Sequence, residues 1–206
     1  MRKIGIMGGT FNPIHNGHLA LAQHVLDDLC MDEIWFVPTG VSYMKANVQM
    51  VSAQERYHMT ELAVAANEKM KCLDLELKRT GYTYTYETLE QLRQEYPDDS
   101  FYFIFGADCL FEMEHWRAPE RIFSACTIVA ATRNGTSIEA MKEKTEELTR
   151  VYRADIILYP FLNLEISSTE LRETVRQGKS IRYLVPDSVA SYIQEKRFYR
   201  KDESLS

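Results

Sequence analysis

The chain has 206 residues, with 24 lysines and arginines against 30 aspartates and glutamates, for a formal charge of −6. At about 150 residues per domain that is the length of one domain, long enough to bury about 70% of its unfolded surface without a disulfide or metal staple. Apolar residues at 45% and aromatic residues at 11% exclude a disordered chain, and the acidic balance argues against a general binder of nucleic acid or anionic membrane.

Taken in chain order, Lys3–Met7 reads as a buried strand ending at Gly8-Gly9. Leu19–Leu29 carries Leu19, Ala22, Leu26 and Leu29 on one helical face, and Glu33–Pro38 is strand-like. Ser52 and Glu55 have capping-box spacing ahead of a helix to about Ala66. Lys71–Leu77 looks like a strand and Tyr86–Glu95 like a helix. Ser100–Gly106 and Thr127–Ala131 are short apolar strands, Ser137–Tyr152 a charged helix and Asp155–Leu158 a last strand. Ser167 and Glu170 repeat the capping-box spacing before Leu171–Gln177, and a final helix covers Ser188–Lys196. Strands alternating with helices predict an α/β, Rossmann-like, doubly wound parallel sheet with helices on both faces. We expect one domain over 1–206, with a small helical part from about residue 166. Ligands should sit at the carboxyl ends of the strands.

Cys30, Cys72, Cys109 and Cys126 are isolated and lack C-x-x-C spacing, which suits a reducing compartment. The glycine-broken start is too short in apolar residues for a signal peptide, and no apolar run reaches about 18 residues. The expected location is the cytoplasm, with no membrane or nucleic-acid partner. Pairing with a second copy is left open by the sequence.

The segment from Gly8 to Leu19 (GGTFNPIHNGHL) is the most informative. Its glycine pair lets backbone approach a ligand, its helix start offers N–H groups and a positive dipole end to phosphate, and His15 and His18 add side-chain donors. There is no G-x-x-x-x-G-K-[ST] and no G-x-G-x-x-G, so a P-loop and a dinucleotide hydride site both lose their signal. His15 and His18 could form half a zinc site, but no further ligands stand nearby, and no protein-held metal is expected. His24 and His58 read as structural.

This segment resembles the G-G-T/S-F-[DN]-P-x-H-x-G-H motif of the nucleotidylyltransferase superfamily. Three further stretches resemble one branch, the bacterial nicotinate-nucleotide adenylyltransferases. They are Gly81–Leu89 (GYTYTYETL), Gly106–Leu110 (GADCL) with Trp116, and Ile166–Arg172 (ISSTELR). The resemblance spans residues 3 to 196. It implies joining of nicotinate mononucleotide to ATP, a step of NAD biosynthesis, with Mg²⁺ arriving on the ATP.

The resemblance places His15 and His18 on the ATP phosphates, with Gly8, Gly9 and Thr10 in the same cradle. It places Gly106 and Asp108 at the adenosine ribose, and Ser167, Ser168, Thr169 and Arg172 on the triphosphate. Tyr84, Thr85 and Trp116 would face the nicotinate nucleotide. Arg133, just after a strand, stands where sheet ligands bind. The loop after the second strand departs from the family's V-P-x-x-x-P-P-H-K: it reads Val37-Pro38-Thr39-Gly40-Val41-Ser42-Tyr43-Met44-Lys45, keeping only the lysine of that end. Lys45 therefore joins His15, His18 and Arg172 as a candidate catalytic cation. On propensity alone Tyr82–Tyr86 alternates like a strand, whereas the resemblance makes it a substrate loop entering a helix. Ser167–Thr169 would otherwise read as an ordinary helix cap. An ionised phosphate oxygen is a ready nucleophile, so alignment and charge stabilisation would carry the chemistry. N–H donors at the helix start near Thr85 would favour the acid of nicotinate over the amide of nicotinamide, with Trp116 against the pyridine ring.

Overall fold

Buried β-branched and aromatic runs pair edge to edge into six parallel strands in this computed structural model, which describes residues 1–41, 50–132, 137–161 and 164–201. In chain order the elements are β1 (Lys3–Gly9), α1 (Asn16–Asp28), β2 (Glu33–Pro38), α2 (Ala53–Val64), β3 (Met70–Cys72), α3 (Thr85–Glu95), β4 (Ser100–Gly106), α4 (Ala107–Glu112), α5 (Pro119–Ala125), β5 (Thr127–Ala131), α6 (Ile138–Tyr152), β6 (Ile156–Tyr159), α7 (Ser168–Arg176) and α8 (Asp187–Glu195). The strand order is β3-β2-β1-β4-β5-β6. The chain runs outward from β1 in both directions, so β1 and β4 are neighbours across the point where the winding reverses. The carboxyl ends of these two strands flank the crevice such sheets use for ligands.

Alternation along each strand splits the core between the two faces. Ile34 and Phe36 of β2 join one apolar cluster with α1, α2 and α8, while Trp35 and Val37 join the other with α3, α5 and α6. Both faces are covered, as the near-continuous apolar strands require. Serine caps set three helix starts: Ser52 accepts from the Glu55 N–H, Ser137 from Ala140 and Ser167 from Thr169, each at 3.2 Å.

Most expected elements are present with shifted ends. Strand β1 continues through Gly8 and Gly9, which pair with Val37 and Pro38. Helix α1 starts at Asn16, three residues before its apolar face begins. The expected strand over Lys71–Leu77 is a correction: only Met70–Cys72 pairs, and residues 75–78 form turns, with the Leu77 N–H donating to the Asp74 carbonyl at 3.0 Å. Helices α4 and α5 add to the expected set. Lys45, Arg133 and most of the Thr39–Val51 loop lie outside the described residues.

Candidate active site

The turn between β1 and α1 is built around two rings. Phe11, at φ 45°, is buried and meets the edge of His18 at 5.2 Å, with Phe36 beyond at 5.9 Å. His15 caps α1 in extended backbone, and its N–H donates to His18 Nδ1 at 3.3 Å. That bond makes Nδ1 the acceptor nitrogen and leaves the proton on Nε2 as a donor. The two imidazoles stack at 3.6 Å. Gly17 lies against them: a Cβ there would come within 3.1 Å of His15 Nδ1 and 3.2 Å of Cε1.

Helix α7 is tied onto this turn. The Ser168 hydroxyl donates to the Pro13 carbonyl at 2.8 Å, and Arg172 Nη1 donates to the Asn12 carbonyl at 2.9 Å. Arg172 Nη2 also donates to Thr169 Oγ1 at 3.2 Å. Asn12 Oδ1 in turn accepts from the Tyr199 hydroxyl at 2.8 Å. Burial pushes that phenol above its usual range, so it stays a donor at neutral pH. The cleft that the turn and α7 bound measures about 460 Å³. Of the residues singled out above, Gly8, Gly9, Thr10, His15, His18, Gly106, Ser167, Ser168, Thr169 and Arg172 all line it. Asp108 is exposed in the first turn of α4, between the lining residues Gly106 and Cys109.

A second cavity of about 250 Å³ opens on the other side of the β1 end. Gly8, Gly9, Thr10 and Cys109 line both cavities, so the end of β1 and the first turn of α4 form a common wall. Thr85 and Trp116 line the second cavity, and Tyr84 does not. Tyr84 instead stacks near Tyr86 at 6.0 Å, with Arg117 over its ring at 6.0 Å. Tyr82 makes one isolated bridge to Val41, and helix α3 opens at Thr85, so this stretch is a loop entering a helix. Trp116 is fixed by Phe103 and Phe105, each 6.2 Å away.

Several residues at the site carried no sequence signal we used. Arg56 is 2% exposed and donates to the carbonyls of Thr10 (2.7 Å), Thr39 (2.6 Å) and Gly40 (2.9 Å). It thereby joins the ends of β1 and β2. Arg56, Met59, Thr60 and Val64 make the buried stripe of α2, so an arginine at apolar-face spacing was the available clue. Glu76, 8% exposed, lines the second cavity and accepts from the Thr88 hydroxyl at 2.8 Å, which itself accepts from Arg79 Nη1 at 2.9 Å. The Glu76 carbonyl lies 2.4 Å from where a Cβ on Gly40 would sit, so only glycine fits there. His24 packs edge-on to Phe161 at 5.5 Å, and His58 lies near Glu61 and Tyr192, both away from these cavities. A larger opening beside α7 and α8, rimmed by Arg182, Arg200 and Lys201, contains none of the residues singled out.

A double cavity at the switch point of a parallel sheet, floored by glycines and faced by histidines and an arginine, is the layout of a nucleotide-handling α/β enzyme. A family model described as cytidylyltransferase-like matches residues 6–174. The protein named "Probable nicotinate-nucleotide adenylyltransferase" in Lachnoclostridium phytofermentans is 44% identical over 97% of this chain and 100% of its own length. The one of that name in Geobacillus thermodenitrificans is 40% identical over 100% of this chain and 90% of its own. The nicotinic acid mononucleotide adenylyltransferase of Plasmodium falciparum, solved in complex with APC, superposes with a TM-score of 0.78 at 21% identity, covering 97% of this chain and 98% of that one. Its complex with NaAD gives a TM-score of 0.77. The chain belongs to the cytidylyltransferase-like family and, within it, to the nicotinate-nucleotide adenylyltransferases. No helix among the described residues is long and apolar enough to cross a membrane.

Proposed function

We propose that this protein transfers the adenylyl group of MgATP to nicotinate mononucleotide, forming nicotinate adenine dinucleotide and releasing pyrophosphate. The observation that carries this reading is the pair of cavities meeting at Gly8, Gly9 and Thr10. One carries His15, His18, Arg172 and the α7 start and is equipped for phosphates, the other is lined by Trp116, Phe103 and Leu89 and suits a flat ring. Two bound nucleotides would face each other across that wall.

ATP takes the larger cavity. His15, His18, Arg172 and the α7 start with Ser167, Ser168 and Thr169 receive the triphosphate, and Gly106 with Asp108 the ribose. An oxygen of the mononucleotide phosphate attacks the α-phosphorus, and the α–β phosphoanhydride bond breaks. Pyrophosphate leaves with the bond's electrons. The attacking phosphate is already ionised, so no general base is required. His18 Nε2–H is a donor for charge gathering on the transferring group. Lys45 and Arg133 supply further cations in this reading. Mg²⁺ arrives as part of the substrate, held by phosphate oxygens and water. Among the described residues no three or more His, Cys, Asp and Glu side chains gather to cage a metal.

The test is pyrophosphate release from MgATP with nicotinate mononucleotide, nicotinamide mononucleotide or phosphopantetheine as acceptor. The reading requires nicotinate mononucleotide to give the highest kcat/KM. A higher value for either other acceptor would overturn it.

A further inference from the structure

We propose that the hydroxyl of Thr83 is a specificity-determining contact to the acidic group of the pyridine mononucleotide; this rests on the adenylyl-transfer reading above. Thr83 is 4% exposed and lines the smaller cavity. Its Oγ1 is buried and has no hydrogen-bond partner among the described residues. Folded proteins leave few buried hydroxyls unpaired, because the lost hydration is not recovered. A buried, unpaired hydroxyl on the wall of a substrate cavity is therefore a group whose partner is the ligand.

The backbone explains why Thr83 faces the cavity. Tyr84 is extended, at φ −125° and ψ 139°, so its neighbours on either side point the same way. Thr83 and Thr85 both line the cavity, and Tyr84 turns away to Tyr86. The Thr83 N–H donates to the Val41 carbonyl at 3.1 Å, which holds the segment against the β2 end. Thr83 thus lines the cavity two residues before α3 opens, where the N–H groups of Thr85 and Tyr86 precede the first intrahelical acceptors.

The chemistry of the wall selects the ligand group. Thr88 is engaged between Arg79 and Glu76, and Glu76 spends Oε1 on Thr88. Thr83 Oγ1 is the lining hydroxyl that is both buried and without a partner among the described residues. A carboxylate has two acceptor oxygens and no donor, so one oxygen can take the Thr83 hydroxyl and the other the helix N–H groups. Both bonds are charge-assisted, and such bonds are about twice as strong as neutral ones. A carboxamide can pair with the same groups, its oxygen taking the helix N–H groups and its NH₂ donating to the Thr83 hydroxyl oxygen, but neither bond is then charge-assisted. The Glu76 carboxylate on the same wall repels an acid, which makes an aimed donor the more necessary.

The experiment compares wild type with Thr83→Val, Thr83→Ser and Thr83→Ala. Activity is read as kcat/KM for nicotinate and nicotinamide mononucleotides at saturating MgATP, and stability as a thermal melt without substrates. Valine keeps the shape and removes the unpaired hydroxyl. We expect its melting temperature to rise by about 2–4 °C while kcat/KM for nicotinate mononucleotide falls about 10-fold or more. The fall for the nicotinamide compound should be smaller, so the selectivity ratio drops about 3-fold or more. The KM for ATP should not move, and serine should stay within about twofold of wild type. Alanine must show the same loss of selectivity, which keeps the test decisive if valine disturbs folding. An unchanged ratio in the valine and alanine variants would overturn the proposal, as would a lower melting temperature with no kinetic loss. Failure of the broader reading is seen separately, in a wild-type enzyme that does not use nicotinate mononucleotide.

Discussion

At residue scale, a methyl group on Gly17 would press on the His15 ring at 3.1 Å. Gly17→Ala should improve the helix by about 0.5–1 kcal/mol on propensity, yet it must push the His15 ring aside by a few tenths of an ångström. We expect kcat to fall about 10-fold with no loss of stability, since small misplacements of catalytic groups cost rate steeply. Steady-state kinetics beside a thermal melt would check this, and wild-type kcat would refute it. His18→Ala removes the Nε2–H donor and should lower kcat by about 10²–10³; a value within about twofold of wild type would remove His18 from the site. Arg172→Ala carries two effects, because Arg172 both faces the larger cavity and holds the Asn12 carbonyl. The KM for ATP should rise, and Arg172→Lys should not restore it, since one ammonium cannot reproduce the guanidinium fork. A lysine variant with wild-type KM would show that charge alone suffices.

At the scale of elements, Arg56 fastens two strand ends by donating to three of their carbonyls, at partly or fully buried positions. Arg56→Met should cost at least about 3 kcal/mol, near 1 kcal/mol for each lost hydrogen bond, read by urea denaturation. A loss under about 1 kcal/mol would mean that these carbonyls find other partners. The parallel sheet was legible in the sequence because its strands are short apolar runs separated by helix-length segments. The Gly8–His18 turn was legible because such residue types between strand and helix have few packing uses. Helices α4 and α5 were hidden for local reasons. Phe105-Gly106-Ala107 runs on from a strand without a polar break, and six residues are too few to display a helical period. Pro119 at the first position of α5 was a usable start signal, obscured by Ala118 in left-handed backbone at φ 52°. Residues 73–77 carried alternating leucines and still did not pair. Arg56, Glu76 and Thr83 were invisible as site residues because their meaning comes from what other strands bring beside them.

For the whole molecule, the amino-terminal end of the strands, away from the site, is held by charge. Arg2 clasps Asp99 with Nη2–Oδ2 at 2.5 Å, and Glu33 accepts from Lys71 at 2.7 Å and from Trp35 Nε1 at 2.5 Å. Hydrogen bonds from Arg2 hold Asp99 below the usual carboxylate range. Burial pushes Glu33 up, but the Lys71 and Trp35 hydrogen bonds outweigh it and leave Glu33 lowered. Both carboxyls bind protons more readily in the unfolded chain. Their stabilisation is therefore full above about pH 5 and is lost as the pH falls below about 4. Arg2→Ala should be less stable than wild type at pH 7 and converge with it near pH 2, as urea midpoints would report. Curves that stay parallel down to pH 2 would exclude this linkage. The common wall of the two cavities has a consequence for turnover. On the proposed reading, the dinucleotide product lies across that wall and grips both compartments at once. Each half holds the other at high local concentration, so the product leaves more slowly than either substrate would alone. The enzyme should slow as its own product accumulates, with inhibition competitive against ATP and against the mononucleotide alike.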